Sequence, residues 1–236
     1  MIERPQRAMV VFAHPDDEMG CSGTVASWTR EGTQVLFVVC TNGDKGTEDP
    51  EMTTERMART REREMRDAAR VLGVQEIVFL GHPDGELEDT RKFRGEIVRE
   101  VRRFRPDAVL CQDTISRNPH NHRDHRICAM VTLDALFPYA RDPLHFQELA
   151  QEGLQPHKVG TVLCWGTGQP TEFVDVGDAM ETKIESMLCH RSQFLERPSR
   201  DPNREPGDFM RQNARQIGEQ AGFEYAEAFR KIEFRI

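Results

Sequence analysis

A short polar turn after the first apolar run holds the first residues that could do chemistry. Residues 9–13 are apolar, and residues 14–18 (HPDDE) then place one imidazole and three carboxylates within five positions. His14 and Asp17 are three residues apart, so a single tight turn, stiffened by Pro15, can direct both side chains to one point. Such a turn suits a metal or acid–base site. It equally suits a helix start with several capping acids, because carboxylates are favourable at the positive end of a helix dipole.

A second polar cluster contains three of the eight histidines of the chain. Residues 120–125 (HNHRDH) follow an apolar run at 108–111 and precede a helical pattern, as the first cluster does. One histidine and one aspartate from the first cluster and one histidine from the second would make a two-histidine, one-carboxylate set. Such a set leaves a coordination position open, as in catalytic zinc sites. Non-haem iron oxygenases use a similar set, and a polar surface loop is the alternative to a site.

Short apolar runs that alternate with longer amphipathic ones must position these clusters. The pattern predicts strands at 9–13, 35–41, 76–80, 108–111, 159–165 and 228–234. It predicts helices at 21–32, 54–72, 92–104, 124–136, 176–188 and 209–222. This alternation is typical of an α/β fold with a mostly parallel sheet and helices on both faces. Ligands bind at the carboxyl ends of such strands, which is where both clusters lie.

Composition and charge exclude several classes of protein. The 236 residues include 40 acidic and 32 basic side chains, for a formal net charge of -8. This balance argues against a partner held by phosphate charge, such as nucleic acid. No apolar run approaches the ~20 residues of a membrane span, and the six scattered cysteines include no C-x-x-C pair. The sequence therefore predicts a cytoplasmic protein with reduced thiols and with neither a nucleic-acid nor a membrane partner.

Taken together, the two clusters resemble those of the LmbE/PIG-L superfamily of zinc-dependent N-acetyl-sugar deacetylases. The similarity rests on H-P-D-D at 14–17 and H-x-D-H at 122–125. It extends to R-x-x-E-M at 61–65, P-D-G-E-L at 83–87, H-x-S-Q at 190–193 and E-A-F-R at 227–230. The resemblance spans nearly the whole chain, in the family's order. It implies one Rossmann-like, three-layer α/β domain over residues 1–236.

The resemblance implies a metal site and a general base. By similarity, His14, Asp17 and His125 are the zinc ligands, and Fe²⁺ fits the same set. Asp16 is the general base. The residue types are compatible with this division, because one aspartate can anchor the cation while its unligated neighbour accepts a proton. Zinc lowers the pKa of a bound water towards ~7, so a nearby carboxylate suffices as the acceptor.

The resemblance also implies contacts to the substrate. His122, paired with Asp124, would polarise the tetrahedral oxyanion or protonate the leaving amine, and the carboxylate would orient the imidazole and favour its charged form. Arg61 and Asp84 would bind sugar hydroxyls. His120 stands where some sugar deacetylases carry a tyrosine with a role at the oxyanion. It could supply a hydrogen-bond donor, join the metal or be exposed.

Helical spacing points to Arg61 independently. At 100° per residue, Met57, Arg61 and Met65 share the core-facing stripe of the predicted helix at 54–72. A guanidinium on that stripe is costly unless it is paired or faces a cavity. Pairing with Glu64 is the alternative to a role in substrate binding.

The function that the resemblance implies is hydrolysis of an N-acetyl group from an N-acetylglucosamine-type sugar or glycoconjugate, by attack of metal-bound water. A close alternative is an amidase that cleaves a larger N-acyl or thiol conjugate of an amino sugar. An iron-dependent oxygenase and a non-catalytic binding module with a vestigial zinc site are alternatives from other classes. The expected partner is a small-molecule N-acetylated sugar. Family members often form homo-oligomers, so a trimer or hexamer is expected.

Overall fold

One sheet runs through the part of the chain that the computed structural model describes, residues 2–114, 116, 121–197, 205 and 207–234. Within it, seven strands are described: β1 (Arg7–Phe12), β2 (Gln34–Thr41), β3 (Glu76–His82), β4 (Ala108–Gln112), β5 (Thr161–Trp165), β6 (Glu172–Asp175) and β7 (Ala226–Glu233). Their order across the sheet is β3-β2-β1-β4-β5-β7-β6. The first five are parallel, and β7 runs antiparallel between β5 and β6. The prediction of a mostly parallel sheet is confirmed.

The described helices connect these strands. They are α1 (Ser22–Arg30), α2 (Thr54–Val71), α3 (Arg91–Phe104), α4 (Arg123–Asp134), α5 (Gln147–Gln151), α6 (Met180–Cys189), α7 (Arg191–Phe194) and α8 (Asp208–Gly218). Single 3₁₀ turns cover Asp17–Gly20 and Gly177–Ala179. Threonine side chains cap the starts of the two long helices: Thr53 accepts the Arg56 N–H, and Thr90 accepts the Phe93 N–H. Gly73, with φ of 71°, follows the end of α2.

Alternating residues of the central strands build two apolar layers, one on each face of the sheet. On one face, Val10 and Phe37 pack with the buried side chains of α1 and α2. On the other, Met9 and Leu36 pack with those of α3 and α4. Both faces of the parallel strands are therefore covered, which explains their nearly continuous apolar sequences. The α/β, three-layer prediction is confirmed.

Some elements differ from the sequence-based prediction. The edge strand β6 was not predicted, because it has only four residues and most are half-buried. The predicted helix at 176–188 begins at Met180, after a 3₁₀ turn, and the one predicted at 209–222 ends at Gly218. All six cysteines lie in the described part of the chain and are free thiols. Among the described residues, no helix is both long and apolar enough to cross a membrane.

Candidate active site

Both polar clusters lie at the carboxyl edge of the sheet, as expected. β1 ends at Phe12 and leads into the first cluster, while its neighbour β4 ends at Gln112 and precedes the start of α4 at Arg123. The loop after β3 contributes Asp84 to the same edge. Three strand ends therefore supply the polar groups of one site.

The three side chains of the predicted metal site converge. His14 Nδ1 lies 3.2 Å from His125 Nε2 and 3.3 Å from Asp17 Oδ2. The distance from His125 Nε2 to Asp17 Oδ1 is 3.0 Å. Donors about 2.1 Å from a tetrahedral zinc ion are about 3.4 Å from one another, so these atoms have nearly the spacing that the ion needs. Imidazole and carboxylate donors also suit Fe²⁺. The residues fit a bound divalent metal ion.

His14 presents its two ring nitrogens to opposite sides. Nδ1 faces the other two proposed ligands, and Nε2 lies 3.0 Å from Asp84 Oδ1 and 3.3 Å from Asp124 Oδ2. The fully buried Asp124 carboxylate also accepts the N–H groups of Gly85 (2.6 Å) and Leu87 (3.2 Å). A carboxylate behind a metal-binding histidine fixes the tautomer and the orientation of the ring. Asp84 and Asp124 are in place to do this for His14.

The surrounding aspartates make this site favourable for positive charge. Burial lowers the pKa of His14, but hydrogen bonds to three aspartates outweigh that effect and raise the pKa to about 12. For Asp17, burial raises the pKa, but the neighbouring His125 and His14 outweigh it and hold the pKa well below its usual range. The same electrostatic field would favour a divalent cation between these groups.

The pairing of His122 differs from the expectation. Its Nδ1 accepts the backbone N–H of Asp124 (3.1 Å) and so caps α4, whereas the Asp124 carboxylate points to His14. The prediction that this carboxylate pairs with His122 and orients it is wrong, although its charge raises the pKa of His122 as expected. Partial burial of the ring and the nearby His14 outweigh that effect and lower the pKa. Because Nδ1 accepts a hydrogen bond, the neutral ring carries its proton on Nε2.

His122 nevertheless borders the proposed metal site. Its ring lies edge-on to that of His14, with centroids 4.6 Å apart. Ring nitrogens of His14, His122 and His125 lie within 4.8 Å of one another. His122 and His125 also line one cavity of about 540 Å³, together with Asp17, Gln112, Asp113 and Trp165. His120, the third histidine of the cluster, lies outside the described residues.

Asp16 is held in a strained backbone conformation. Its φ of 123° lies where residues other than glycine are rare. Arg61 Nη2 lies 2.9 Å from its Oδ2, and the same guanidinium donates to the carbonyls of Pro15 and Gly43. The Asp16 N–H donates to Glu18 Oε2 (3.1 Å). Burial raises the pKa of Asp16, although Arg61 opposes the shift. Strain of this kind persists where the surroundings hold the backbone in place.

The alternative pairing of Arg61 with Glu64 is wrong. Glu64 accepts the N–H (2.8 Å) and the hydroxyl (2.7 Å) of Ser192 instead. Arg61 is 3% exposed and faces the turn that carries Asp16. The expectation that a guanidinium on this helical stripe is paired is therefore confirmed, with Asp16 as the partner.

Two buried contacts that were not predicted support the first cluster from the distant segment 183–193. His190 Nε2 lies 2.7 Å from Glu18 Oε1, and both side chains are fully buried. Burial lowers the pKa of His190, but Glu18 outweighs it and the pKa is raised. Lys183 donates to the Met19 carbonyl and to Glu227. The available signal was the H-x-S-Q segment, whose histidine has a partner in the first cluster, Glu18.

Comparisons with known proteins agree with this geometry. The sequence model of the PIG-L family, described as GlcNAc-PI de-N-acetylase, matches residues 9–136, which contain both clusters. The chain is similar to diacetylchitobiose deacetylase of Thermococcus kodakarensis, with 34% identity over 96% of this chain and 83% of that protein. It is also similar to mycothiol S-conjugate amidase of Streptomyces coelicolor, with 34% identity over 60% of this chain and 55% of that protein.

A solved structure of a similar enzyme has the same fold as this chain. The chain superposes on N,N'-diacetylchitobiose deacetylase from Pyrococcus horikoshii with a TM-score of 0.90 and 29% identity, covering 97% of this chain and 84% of that chain. The family match includes more than half of the residues, and it contains the H-P-D-D and H-x-D-H motifs whose side chains meet here. The chain therefore belongs to the PIG-L (LmbE-like) family.

Proposed function

We propose that this protein is a metal-dependent amide hydrolase that removes the N-acetyl group from an N-acetylglucosamine-type sugar or glycoconjugate. The observation that carries the proposal is the group of donor atoms from His14, Asp17 and His125, which lie 3.0–3.3 Å apart beside Asp16. The names of the similar enzymes from Thermococcus kodakarensis and Pyrococcus horikoshii support the same substrate class.

In this proposal, His14, Asp17 and His125 hold the metal ion. Zinc is the ion we propose, and iron(II) fits the same donors. When bound, such an ion lowers the pKa of water and polarises the substrate carbonyl. Asp84 and Asp124 are positioning residues, because they act through the Nε2 side of His14.

Asp16 is the proposed general base. It is adjacent in sequence to the proposed metal ligand Asp17 and interacts with it electrostatically. Its carboxylate pairs with Arg61 and its backbone N–H donates to Glu18, so we do not count it among the proposed ligands. From there it can accept a proton from the attacking water. Arg61 orients this carboxylate, and we propose that Arg61 and Asp84 also bind sugar hydroxyls at the edge of the site.

His122 is the proposed donor to the tetrahedral intermediate. Its Nδ1 is engaged by the Asp124 N–H, so the proton on Nε2 is available to stabilise the developing oxyanion. A neutral ring that gave up this proton would become an imidazolate, so the leaving amine takes instead the proton that Asp16 accepted from the attacking water. Of the two tasks that the sequence leaves open, we therefore propose stabilisation of the oxyanion for His122. His120, three residues from Arg123 at the start of α4, is proposed as a further substrate contact.

The family resemblance also suggests the domain organisation, location, partners and oligomeric state of the protein. We propose a single domain over residues 1–236 that acts in the cytoplasm on a small N-acetylated sugar, with neither nucleic acid nor membrane as a partner. The net charge of -8 supports the exclusion of nucleic acid. We also propose a homo-oligomer, a trimer or a hexamer, on the basis of the family resemblance.

The test is acetate release by zinc-loaded protein from a panel of acyl sugars. We expect free acetate from N-acetylglucosamine derivatives and little hydrolysis of longer N-acyl groups. The similarity to mycothiol S-conjugate amidase favours the second candidate, an amidase acting on a larger conjugate. Preferential cleavage of a bulky N-acyl or thiol conjugate, with slow acetate release, would establish the amidase and refute the deacetylase.

A further inference from the structure

The turn that carries Asp84 lies at the surface, yet the Asp84 side chain is directed inward. Pro83 and Gly85 are exposed, whereas Asp84 is only 8% exposed and its Oδ1 lies 3.0 Å from His14 Nε2. Two tasks are proposed for this carboxylate, orienting His14 and binding a sugar hydroxyl. Both tasks therefore depend on the contacts that hold an exposed turn in place.

Two consecutive residues of the loop after β2 bind both backbone polar groups of Asp84. The Asp84 N–H donates to Asp44 Oδ1 (3.0 Å), and the Asp84 carbonyl accepts from Lys45 Nζ (2.5 Å). Lys45 also pairs with Glu86 at 2.6 Å, but both of these side chains are exposed, and surface ion pairs contribute little. The contact with the carbonyl is partly buried, and a charged donor makes a stronger hydrogen bond than a neutral one. Lys45 therefore acts mainly on the backbone of Asp84.

The same loop packs against Arg61, the other residue proposed to bind sugar hydroxyls. Arg61 donates to the Gly43 carbonyl at 3.3 Å. A Cβ atom at Gly43 or at Gly46 would lie 2.6 Å from Arg61 Nη1, and this guanidinium is buried and ion-paired. The loop can come this close only because both positions are glycine. It therefore contacts Arg61 on one side and Asp84 on the other, and it fixes the spacing between them.

We propose that Lys45 is a positioning residue for substrate binding. By holding the Asp84 carbonyl, it keeps the Asp84 carboxylate directed to His14 and at a fixed distance from Arg61, so that Asp84 and Arg61 can bind hydroxyls of the same sugar ring. Lys45 acts in this way through Asp84 and does not itself contact the substrate. The inference rests on the proposed function and adds a residue to its site.

The first experiment measures kcat and KM of the zinc-loaded protein for N-acetylglucosamine. Lys45→Met keeps the length of the side chain and removes the donor, and Lys45→Arg restores a donor. We expect Lys45→Met to raise KM about 10-fold, the effect of losing about one hydrogen bond from a charged group. The value of kcat should stay within twofold, because Asp124 still orients His14 and Asp16 keeps its contacts.

Two comparisons make this experiment decisive. Lys45→Arg should return KM to within about threefold of the wild type, because arginine is also a charged donor. Lys92→Met, which removes an exposed lysine 3.7 Å from Glu96, is the matched control and should change neither constant. An unchanged KM in Lys45→Met, a loss that appears in kcat instead, or no rescue by arginine would overturn the proposal.

The second experiment measures amide hydrogen exchange of the zinc-loaded protein without substrate. The Asp84 carbonyl and the Gly85 N–H belong to one peptide group, and this N–H donates to Asp124 Oδ2 at 2.6 Å. When Lys45 no longer holds the carbonyl, the turn should open more often, and we expect the Gly85 N–H to exchange at least about 5-fold faster. The amides of β1 should keep their rates. An unchanged rate at Gly85 would overturn the proposal.

These two readouts separate the inference from the proposed function. If the wild type releases no acetate but Lys45→Met speeds exchange at Gly85, the proposed function fails and the hold of Lys45 on Asp84 stands. If the wild type releases acetate and Lys45→Met changes neither KM nor the exchange rate, the proposed function stands and the positioning role of Lys45 is refuted.

Discussion

The loops after β1 and β4 supply the two halves of the candidate site, and they are held in different ways. In the first loop, buried ion pairs and hydrogen bonds from distant segments hold the functional side chains: Arg61 holds Asp16, and His190 holds Glu18. In the second loop, His122 is exposed and receives the backbone N–H of Asp124, and the His125 side chain is 28% exposed.

The two loops therefore have different tasks in the candidate site. The first loop carries the proposed general base and the proposed carboxylate ligand, and its strained backbone at Asp16 needs support from its neighbours. The second loop directs imidazoles into the cavity, where they can meet a ligand. Substitutions of Asp16, His14 or Asp17 in the first loop should therefore abolish proton transfer or metal binding. Those at His122 should weaken only the stabilisation of the transition state.

The largest effect is expected for Asp16→Ala in the first loop. Loss of the general base should reduce kcat for acetate release by about 10³-fold, while zinc remains bound because Asp16 is not among the proposed ligands. His14→Ala should lose both the metal and the activity. Metal analysis and acetate assays on the same preparations check this pair. A rate close to that of the wild type in Asp16→Ala would show that the role of Asp16 is assigned wrongly.

In the second loop, His122→Ala should reduce kcat by about 10²-fold, the effect of removing one donor to an oxyanion. Its zinc content should equal that of the wild type. His82→Ala is the matched control, since His82 pairs with Glu96 at 2.7 Å outside the two clusters, and it should remain active. If His122→Ala loses its metal, His122 is a ligand and its proposed role as a donor is refuted.

A smaller effect is expected for Glu18→Gln, which tests the support of the first loop. The two carboxylate oxygens of Glu18 contact the Asp16 N–H and His190 Nε2. A glutamine side chain has only one carbonyl oxygen, so it cannot replace both acceptors. Poorer positioning of Asp16 should raise the activation free energy by about 1.4 kcal/mol, which corresponds to about a 10-fold decrease in kcat. KM and zinc content should stay the same. An increase in KM with kcat unchanged would contradict this account.

The smallest effect on activity is expected for Ser192→Ala. The variant removes the hydroxyl that donates to Glu64 Oε2 at 2.7 Å, and urea unfolding should show a loss of about 1–2 kcal/mol in the free energy of unfolding. Acetate release should stay within twofold, because this contact does not reach Asp16. Ser192→Thr, which keeps the hydroxyl, is the control. A large loss of activity without a loss of stability would place Ser192 in the catalytic machinery.

The convergence of His14, Asp17 and His125 could be predicted from the sequence. Their clusters follow apolar runs that were predicted to be parallel strands, and the carboxyl ends of such strands lie at one edge. That the two strands are neighbours is shown by the structure. Arg61 could be predicted to face inward because it interrupts an apolar helical stripe, and the family resemblance then placed it at the site. These inferences depend on local periodicity, which the sequence records directly.

The partners of these residues could not be predicted in the same way. Asp124 lies two positions from His122, which favoured a pairing between their side chains. The start of α4 instead turns the Asp124 N–H to His122 and its carboxylate to His14. Glu18 and His190 are 172 residues apart. Which distant pair forms depends on how the layers pack, and no local pattern of the chain encodes that.

The central claim is that one divalent ion held by His14, Asp17 and His125 is needed for amide hydrolysis. The most direct measurement is a titration of zinc into chelator-treated protein, with metal content and acetate release from N-acetylglucosamine followed together. We predict that activity rises with added zinc and levels off at one equivalent per chain. Activity that chelation does not reduce, or a chain that neither zinc nor iron(II) reconstitutes, would contradict this account.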